Sequence, residues 1–130
     1  MTPVPQAQPA LHILVVDDEP TLTGFISTLL VSRGYEVTAL NEAASALQFF
    51  AANPHAIDAV IVDQTMPGMN GTDMALEMLR RRAELPILLI TGFSETMNPA
   101  RAQALNIRGF LQKPFRAQEL LTALEEVTGR

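Results

Sequence analysis

Cysteine is absent from this 130-residue chain, which excludes a thiolate metal site, a redox motif and a disulfide scaffold. That absence fits a reducing compartment. No apolar run approaches the roughly 20 residues of a membrane-spanning helix. Met1 to Pro9 is polar and proline-rich, unlike a secretory signal, so a cytoplasmic domain with no membrane span is expected. Positive charge is scarce: 9 Lys and Arg stand against 14 Asp and Glu, for a net charge of −5. This argues against nonspecific nucleic-acid binding. The basic run Arg80-Arg81-Arg82 falls at the end of a predicted helix, where the helix dipole and a solvated face account for it. Lysine itself occurs once, at Lys113, in a chain that otherwise uses arginine, which marks a position where a compact ammonium is needed. Glycine-rich phosphate loops are missing as well. Neither GxxxxGK[ST] nor GxGxxG follows the first apolar run, which counts against a nucleotide-binding module.

What is present suffices for one domain with its own core. Met1 to Ala10, with three prolines and no apolar periodicity, reads as a flexible tail or linker, and residues 11–128 as a single folded unit without internal repeats. Leu11 to Val16 is a buried strand that ends on Asp17, Asp18, Glu19 and Pro20. His12 has no second ligand at metal spacing and is expected at a surface or sheet edge. From Thr21 to Arg33, Leu22, Phe25, Ile26, Leu29 and Leu30 recur at the spacing of an amphipathic helix. All five are expected to be major core contributors, each worth about 1.5 to 3 kcal/mol if buried. Gly34 suits the left-handed position that ends this helix.

Tyr35 to Leu40 is a second strand and Glu42 to Ala52 a second helix. The apolar run Val60-Ile61-Val62 then stops abruptly at Asp63, as a strand buried on both faces would. Gln64 to Gly71 is a loop, and Thr72 to Arg82 is a helix with Met74, Ala75, Met78 and Leu79 inward and Leu76 outward. Leu85 to Thr91 and Gly109 to Gln112 are the last strands. A short helix opened by Asn98-Pro99 separates them, and a helix from Arg116 to Thr128 follows.

Strands alternating with helices predict an α/β parallel sheet wound on both sides, with the carboxyl ends of all strands on one rim. Ligands gather at such a rim. The first strand delivers Asp17 and Asp18 to it, the third Asp63, the fourth Thr91 and the fifth Lys113, while the second delivers nothing comparable. Asp63 alone has a second reading as a turn cap. Neighbouring carboxylates repel by about 4 kcal/mol per pair at 4 Å and an effective dielectric of 20, so such a cluster calls for a cation. With oxygen donors only, Mg²⁺ fits best. A cation beside a hydroxyl and an ammonium suits a phosphoryl group.

VVDDEP at Val15 to Pro20, VDQTMPGMNG at Val62 to Gly71, LLITG at Leu88 to Gly92 and FLQKPF at Phe110 to Phe115 come in this order along the chain. Together they resemble the receiver domain of two-component response regulators. The resemblance implies a flavodoxin-like sheet with strand order 2-1-3-4-5, and Asp63 as the phosphoacceptor for a partner histidine kinase or phosphotransfer domain. It further implies that Asp17, Asp18, Asp63 and the backbone carbonyl of Thr65 hold Mg²⁺. Thr91 and Lys113 would bind the phosphoryl group, Thr91 and Phe110 would switch, and the bond to Pro114 would be cis. Output would pass to a downstream protein through the fourth helix, fifth strand and fifth helix, with no direct nucleic-acid contact. Such a domain is not an enzyme in its own right; it assists its own phosphorylation and dephosphorylation.

Three departures from the family pattern stand out. Phe110 replaces the tyrosine of many members, and TGFSE at Thr91 to Glu95 resembles receivers attached to hybrid sensor kinases. Thr65 and Phe93 supply no acid or amide to orient water, so slow self-dephosphorylation is expected. Two alternatives are a pseudo-receiver that acts as a phosphorylation-independent interaction module, and an aspartyl-nucleophile phosphatase. Thr65 stands where such phosphatases carry a second acid.

Overall fold

A computed structural model describes residues 10–92 and 97–129. Expectations that fall on the tail before residue 10, on Phe93 or on Ser94 and Glu95 lie outside the described residues. The elements follow one another as β1 (His12–Val16), α1 (Pro20–Ser32), β2 (Glu36–Leu40), α2 (Ala43–Ala52), β3 (Ala59–Asp63), α3 (Gly71–Arg81), β4 (Ile87–Thr91), α4 (Pro99–Ala104), β5 (Gly109–Gln112) and α5 (Ala117–Thr128). All strand pairings are parallel, in the order β2-β1-β3-β4-β5. This is the flavodoxin-like order expected from the motifs.

Alternation along the strands divides the core in two. Leu14, Val16, Val60, Val62, Ile87 and Leu89 face Phe50 of α2, Met74 and Met78 of α3 and Ala102 of α4. Ile13, Val15, Ile61, Leu88 and Ile90 face Ile26 and Leu30 of α1 and Leu120, Leu121, Leu124 and Val127 of α5. The central strands β3 and β4 are buried at every position, whereas β2 at the edge is buried at none.

Helix ends follow local chemistry. Gly34 has φ +90°, and the amides of Gly34 and Tyr35 return to Val31 and Leu30 to close α1. Asn106, at φ 65°, closes α4 in the same way, with its own amide on Gln103 and that of Ile107 on Ala102. Asn98 caps α4 by accepting from the Arg101 amide at 2.9 Å, as its sequence signature predicts. The fourth strand begins at Ile87 rather than Leu85. The Leu85 amide turns back to Arg82, and Pro86 has no N–H to donate to a ladder.

Three expectations need correction. Phe25 is 48% exposed, and Leu22 and Leu29 are half-buried, so Ile26 and Leu30 carry the core face of α1. The buried arc of this helix is narrower than its apolar arc. Leu76 belongs to neither core cluster, in keeping with its outward place on α3, and is half-buried there. His12 is held more firmly than a surface histidine, with Nε2 2.7 Å from Thr38 Oγ1 and its ring edge-on to Phe49. Arg82 does more than face solvent: its guanidinium donates to the carbonyls of Pro54 and Ile57 and pairs with Glu84 at 3.1 Å. It thereby ties α3 to the segment entering β3.

Candidate acidic site at the carboxyl rim of the sheet

The five strands place their carboxyl ends on one rim, and the predicted polar residues meet there. Carboxylate oxygens of Asp17, Asp18 and Asp63 lie within 4.8 Å of one another. Asp17 and Asp63 are buried at the ends of β1 and β3, and Asp18 is exposed. Lys113 reaches across from the end of β5, with Nζ 2.8 Å from Asp63 Oδ1 and 3.8 Å from Asp17 Oδ2. Its backbone amide donates to the Thr91 carbonyl at 2.7 Å, and the Lys113-Pro114 bond is cis. Thr91 is buried at the end of β4. Phe110 stands apart, half-buried within β5, opposite Leu89 and against the core beneath α2, α3 and α4.

A backbone amide anchors one oxygen of each buried carboxylate. Asp17 Oδ1 accepts from the Glu19 amide at 2.9 Å, while buried Oδ2 has no hydrogen-bond donor among the described residues and lies 3.8 Å from the Lys113 ammonium. Asp63 Oδ2 accepts from the Thr65 amide at 3.0 Å. Asp63 therefore caps its own turn and faces the cluster at once, so its two readings from sequence coexist.

One ammonium against three carboxylates leaves excess negative charge, and the protonation energetics register it. Burial pushes Asp17 up to about 6, aided by the charge of Asp63 and opposed by the Glu19 hydrogen bond and by Lys113. For Lys113, burial works to lower the ammonium pKa, but the hydrogen bond and charge of Asp63, with Asp17 and Glu19, outweigh it and raise it. The orphaned Asp17 Oδ2 and an all-oxygen donor set suit a hard divalent cation.

Three contributors escaped the sequence reading. The second strand does deliver a group: Asn41, directly after β2, donates its side-chain amide to the Asp17 carbonyl at 2.8 Å and to Thr23 Oγ1 at 3.0 Å. Gln64 Oε1 accepts from the amide and hydroxyl of Thr72 at 2.9 and 2.6 Å, which closes the loop after Asp63 onto the start of α3. Gly71 lets that start approach the β3 end, since a β-carbon there would overlap the Asp63 backbone. The available signals were a polar residue immediately beyond a strand for Asn41, and a glycine opening a helix for Gly71.

Beside Lys113 an open groove of about 490 Å³ is lined by Glu19, Leu22, Phe25, Pro114 and Phe115. No helix among the described residues is long and apolar enough to cross a membrane.

Comparison with known proteins agrees with this architecture. The family model described as the response regulator receiver domain matches residues 13–125. Nodulation protein W of Bradyrhizobium diazoefficiens is 34% identical over 118 residues, covering 91% of this chain and 51% of that protein. Sensory transduction protein RegX3 of Mycolicibacterium smegmatis is 30% identical, with 91% and 50% covered. The chain thus spans about half the length of these relatives. Among solved structures, a response regulator receiver domain protein from Clostridium thermocellum superimposes with a TM-score of 0.87 at 32% identity. That match covers 92% of this chain and 95% of the other. Motifs, sheet order, rim geometry and family match coincide, and the chain belongs to the receiver-domain family of two-component response regulators.

Proposed function

We propose that residues 11–128 form a phosphoacceptor receiver that takes a phosphoryl group on Asp63 from a phosphohistidine of a partner kinase or phosphotransfer domain, in the cytoplasm. Residues 1–10 would act as its linker or tail. The observation that carries this reading is the rim itself: three carboxylates within 4.8 Å, one of them hydrogen-bonded to a lone lysine at 2.8 Å.

Asp17, Asp18, Asp63 and the Thr65 carbonyl would hold Mg²⁺, and the buried Asp17 Oδ2, which accepts no hydrogen bond, supports that donor set. When bound, the cation supplies the charge neutralisation that lets a phosphoryl group approach three acids. The chain does the rest. An oxygen of Asp63 attacks phosphorus in line, the new P–O bond forms as the donor's P–N bond breaks, and the imidazole nitrogen keeps the electron pair. Lys113, already on Asp63, follows the developing charge onto the phosphoryl oxygens, and the Thr91 hydroxyl binds another. The groove beside Lys113 gives a donor protein an approach, and the exposure of Phe25 on it fits a surface awaiting a partner.

Phosphorylation adds about 1.5 to 2 negative charges at this rim. Thr91 and Phe110 would then shift, biasing the surface of α4, β5 and α5 toward a form that a downstream protein recognises. Neither Thr65 nor Phe93 offers an acid or amide to orient water, which supports slow self-dephosphorylation. Intact mass after incubation with a small acyl phosphate tests the reading. A gain of one phosphoryl group with Mg²⁺, and none after chelation, is expected. No gain under either condition overturns it in favour of a phosphorylation-independent interaction module.

A further inference from the structure

We propose that Asn41 is a positioning residue of the acidic site, its side-chain amide holding the turn that carries Asp17 and Asp18; this rests on the phosphoacceptor reading above. β1 and β2 run in register to Val16 and Leu40, and one further backbone bond joins the Asp17 amide to the Leu40 carbonyl at 3.2 Å. Beyond that point the chains part, β1 into the acidic turn and β2 toward α2. The Asp17 carbonyl therefore needs a donor the ladder no longer supplies. Asn41 Nδ2 provides it at 2.8 Å and extends the pairing by one rung.

The same amide nitrogen donates to Thr23 Oγ1 at 3.0 Å, and that hydroxyl donates to the Pro20 carbonyl at 3.2 Å. A chain of hydrogen bonds thus runs from Asp17 through Asn41 and Thr23 to Pro20, holding both ends of the turn over residues 17–20. Its polarity is fixed. A carbonyl only accepts, so the amide nitrogen of Asn41 must face Asp17, and the Thr23 hydroxyl has capacity to accept one bond while donating another. The third restraint is the Glu19 amide on Asp17 Oδ1 at 2.9 Å, which aims the carboxylate once the turn is in place. Asn41 acts on the acids through the main chain, by fixing the backbone from which Asp17 and Asp18 project. Residues that hold ligands from outside in this way commonly govern about 10- to 100-fold in metal affinity.

The test uses the full chain with Mg²⁺ as the probe. Asn41→Ala should raise the Mg²⁺ concentration at half-saturation about 10-fold or more. It should leave the phosphorylation plateau at saturating Mg²⁺ near that of the unaltered protein, and speed hydrogen exchange at the Glu19 amide. Thr23→Val, which cuts the link to Pro20 but keeps the Asn41 bond to Asp17, should shift the midpoint by clearly less than Asn41→Ala does. A purely structural asparagine would lower melting temperature without moving the Mg²⁺ midpoint, and that result overturns the proposal. So does a Thr23→Val shift as large as that of Asn41→Ala, because it would trace the effect to general loosening of α1. If Asn41→Ala does not fold, Asn41→Leu, of the same shape without the donor, carries the same expectations. Should the unaltered protein take up no Mg²⁺, the phosphoacceptor reading fails by itself. Glu19 exchange in the metal-free variant then decides whether Asn41 holds the turn.

Discussion

The Lys113 ammonium lies 2.8 Å from Asp63 Oδ1, while the opposite oxygen of the same carboxylate is tied to the Thr65 amide at 3.0 Å. Asp63 is thus held from both sides, by a charge and by its own turn. Lys113→Ala removes the nearby positive charge from a cluster of three acids. Metal-free stability at neutral pH should fall by about 1.5 to 3 kcal/mol, the range for a hydrogen bond to a charged group. Excess Mg²⁺ should recover most of that loss, and phosphorylation from a small acyl phosphate should slow while Mg²⁺ binding persists. Thermal melts with and without Mg²⁺ check the first two points, and intact mass against time checks the third.

Asp17 gives a pH dependence whose sign follows from its raised pKa, about 6 in the fold against an ordinary 3.8. Folding favours its protonated form, so the stability it confers is full below about pH 3.8 and is lost as pH rises through 6. Asp17→Asn removes that loss. In metal-free protein the variant should gain stability over the unaltered chain above pH 6, by on the order of 2 to 3 kcal/mol, with the difference fading as pH falls toward 4. Mg²⁺ should stabilise the unaltered protein and not the variant. Urea titrations at several pH values, with chelator or Mg²⁺, read all of this.

Two glycines should respond oppositely to alanine. At Gly71 a β-carbon overlaps the Asp63 carbonyl, and backbone rather than a flexible side chain must move. Gly71→Ala should cost about 1 to 3 kcal/mol and also displace the loop after Asp63. Gly24, in the middle of α1, has nothing within 4 Å of such a carbon. Gly24→Ala should add about 0.5 to 1 kcal/mol through helix propensity alone. Denaturant midpoints of the two variants separate the cases.

Neighbouring residues on α1 provide a further contrast. Ile26 is 1% exposed and Phe25 48%. Ile26→Ala should cost about 2 to 5 kcal/mol as a core truncation, whereas Phe25→Ala should change stability by no more than about 0.5 kcal/mol. Phosphorylation of Phe25→Ala by a small donor should be unaltered, since the side chain stands beside the site and not in it. Melting curves and intact mass test the pair.

Much of this molecule was legible before folding. The rim and the cluster of Asp17, Asp18, Asp63 and Lys113 followed from short β-branched runs that end on polar residues, because a strand buried on both faces stays apolar until it reaches the rim, whereas the strand order followed from the resemblance to receiver domains. Helix ends at Gly34 and Asn98 were equally plain, since their chemistry is local. The exposure of Phe25 was not, because periodicity shows which side chains share a face and says nothing of how wide the sheet beneath that face is. Asn41, Gln64 and Gly71 were missed for another reason. Their roles are contacts between segments 8 to 24 residues apart in sequence, and a side-chain amide looks the same whether it meets water or a carbonyl.

Reductive trapping of the phosphorylated chain locates the residue that takes the phosphoryl group. Borohydride converts an aspartyl phosphate to homoserine, and peptide mass spectrometry then reads the altered position. Homoserine is expected at residue 63 only, dependent on Mg²⁺ and abolished in Asp63→Asn. Trapping at Asp17 or Asp18, or a phosphoryl gain that survives in Asp63→Asn, would contradict that expectation.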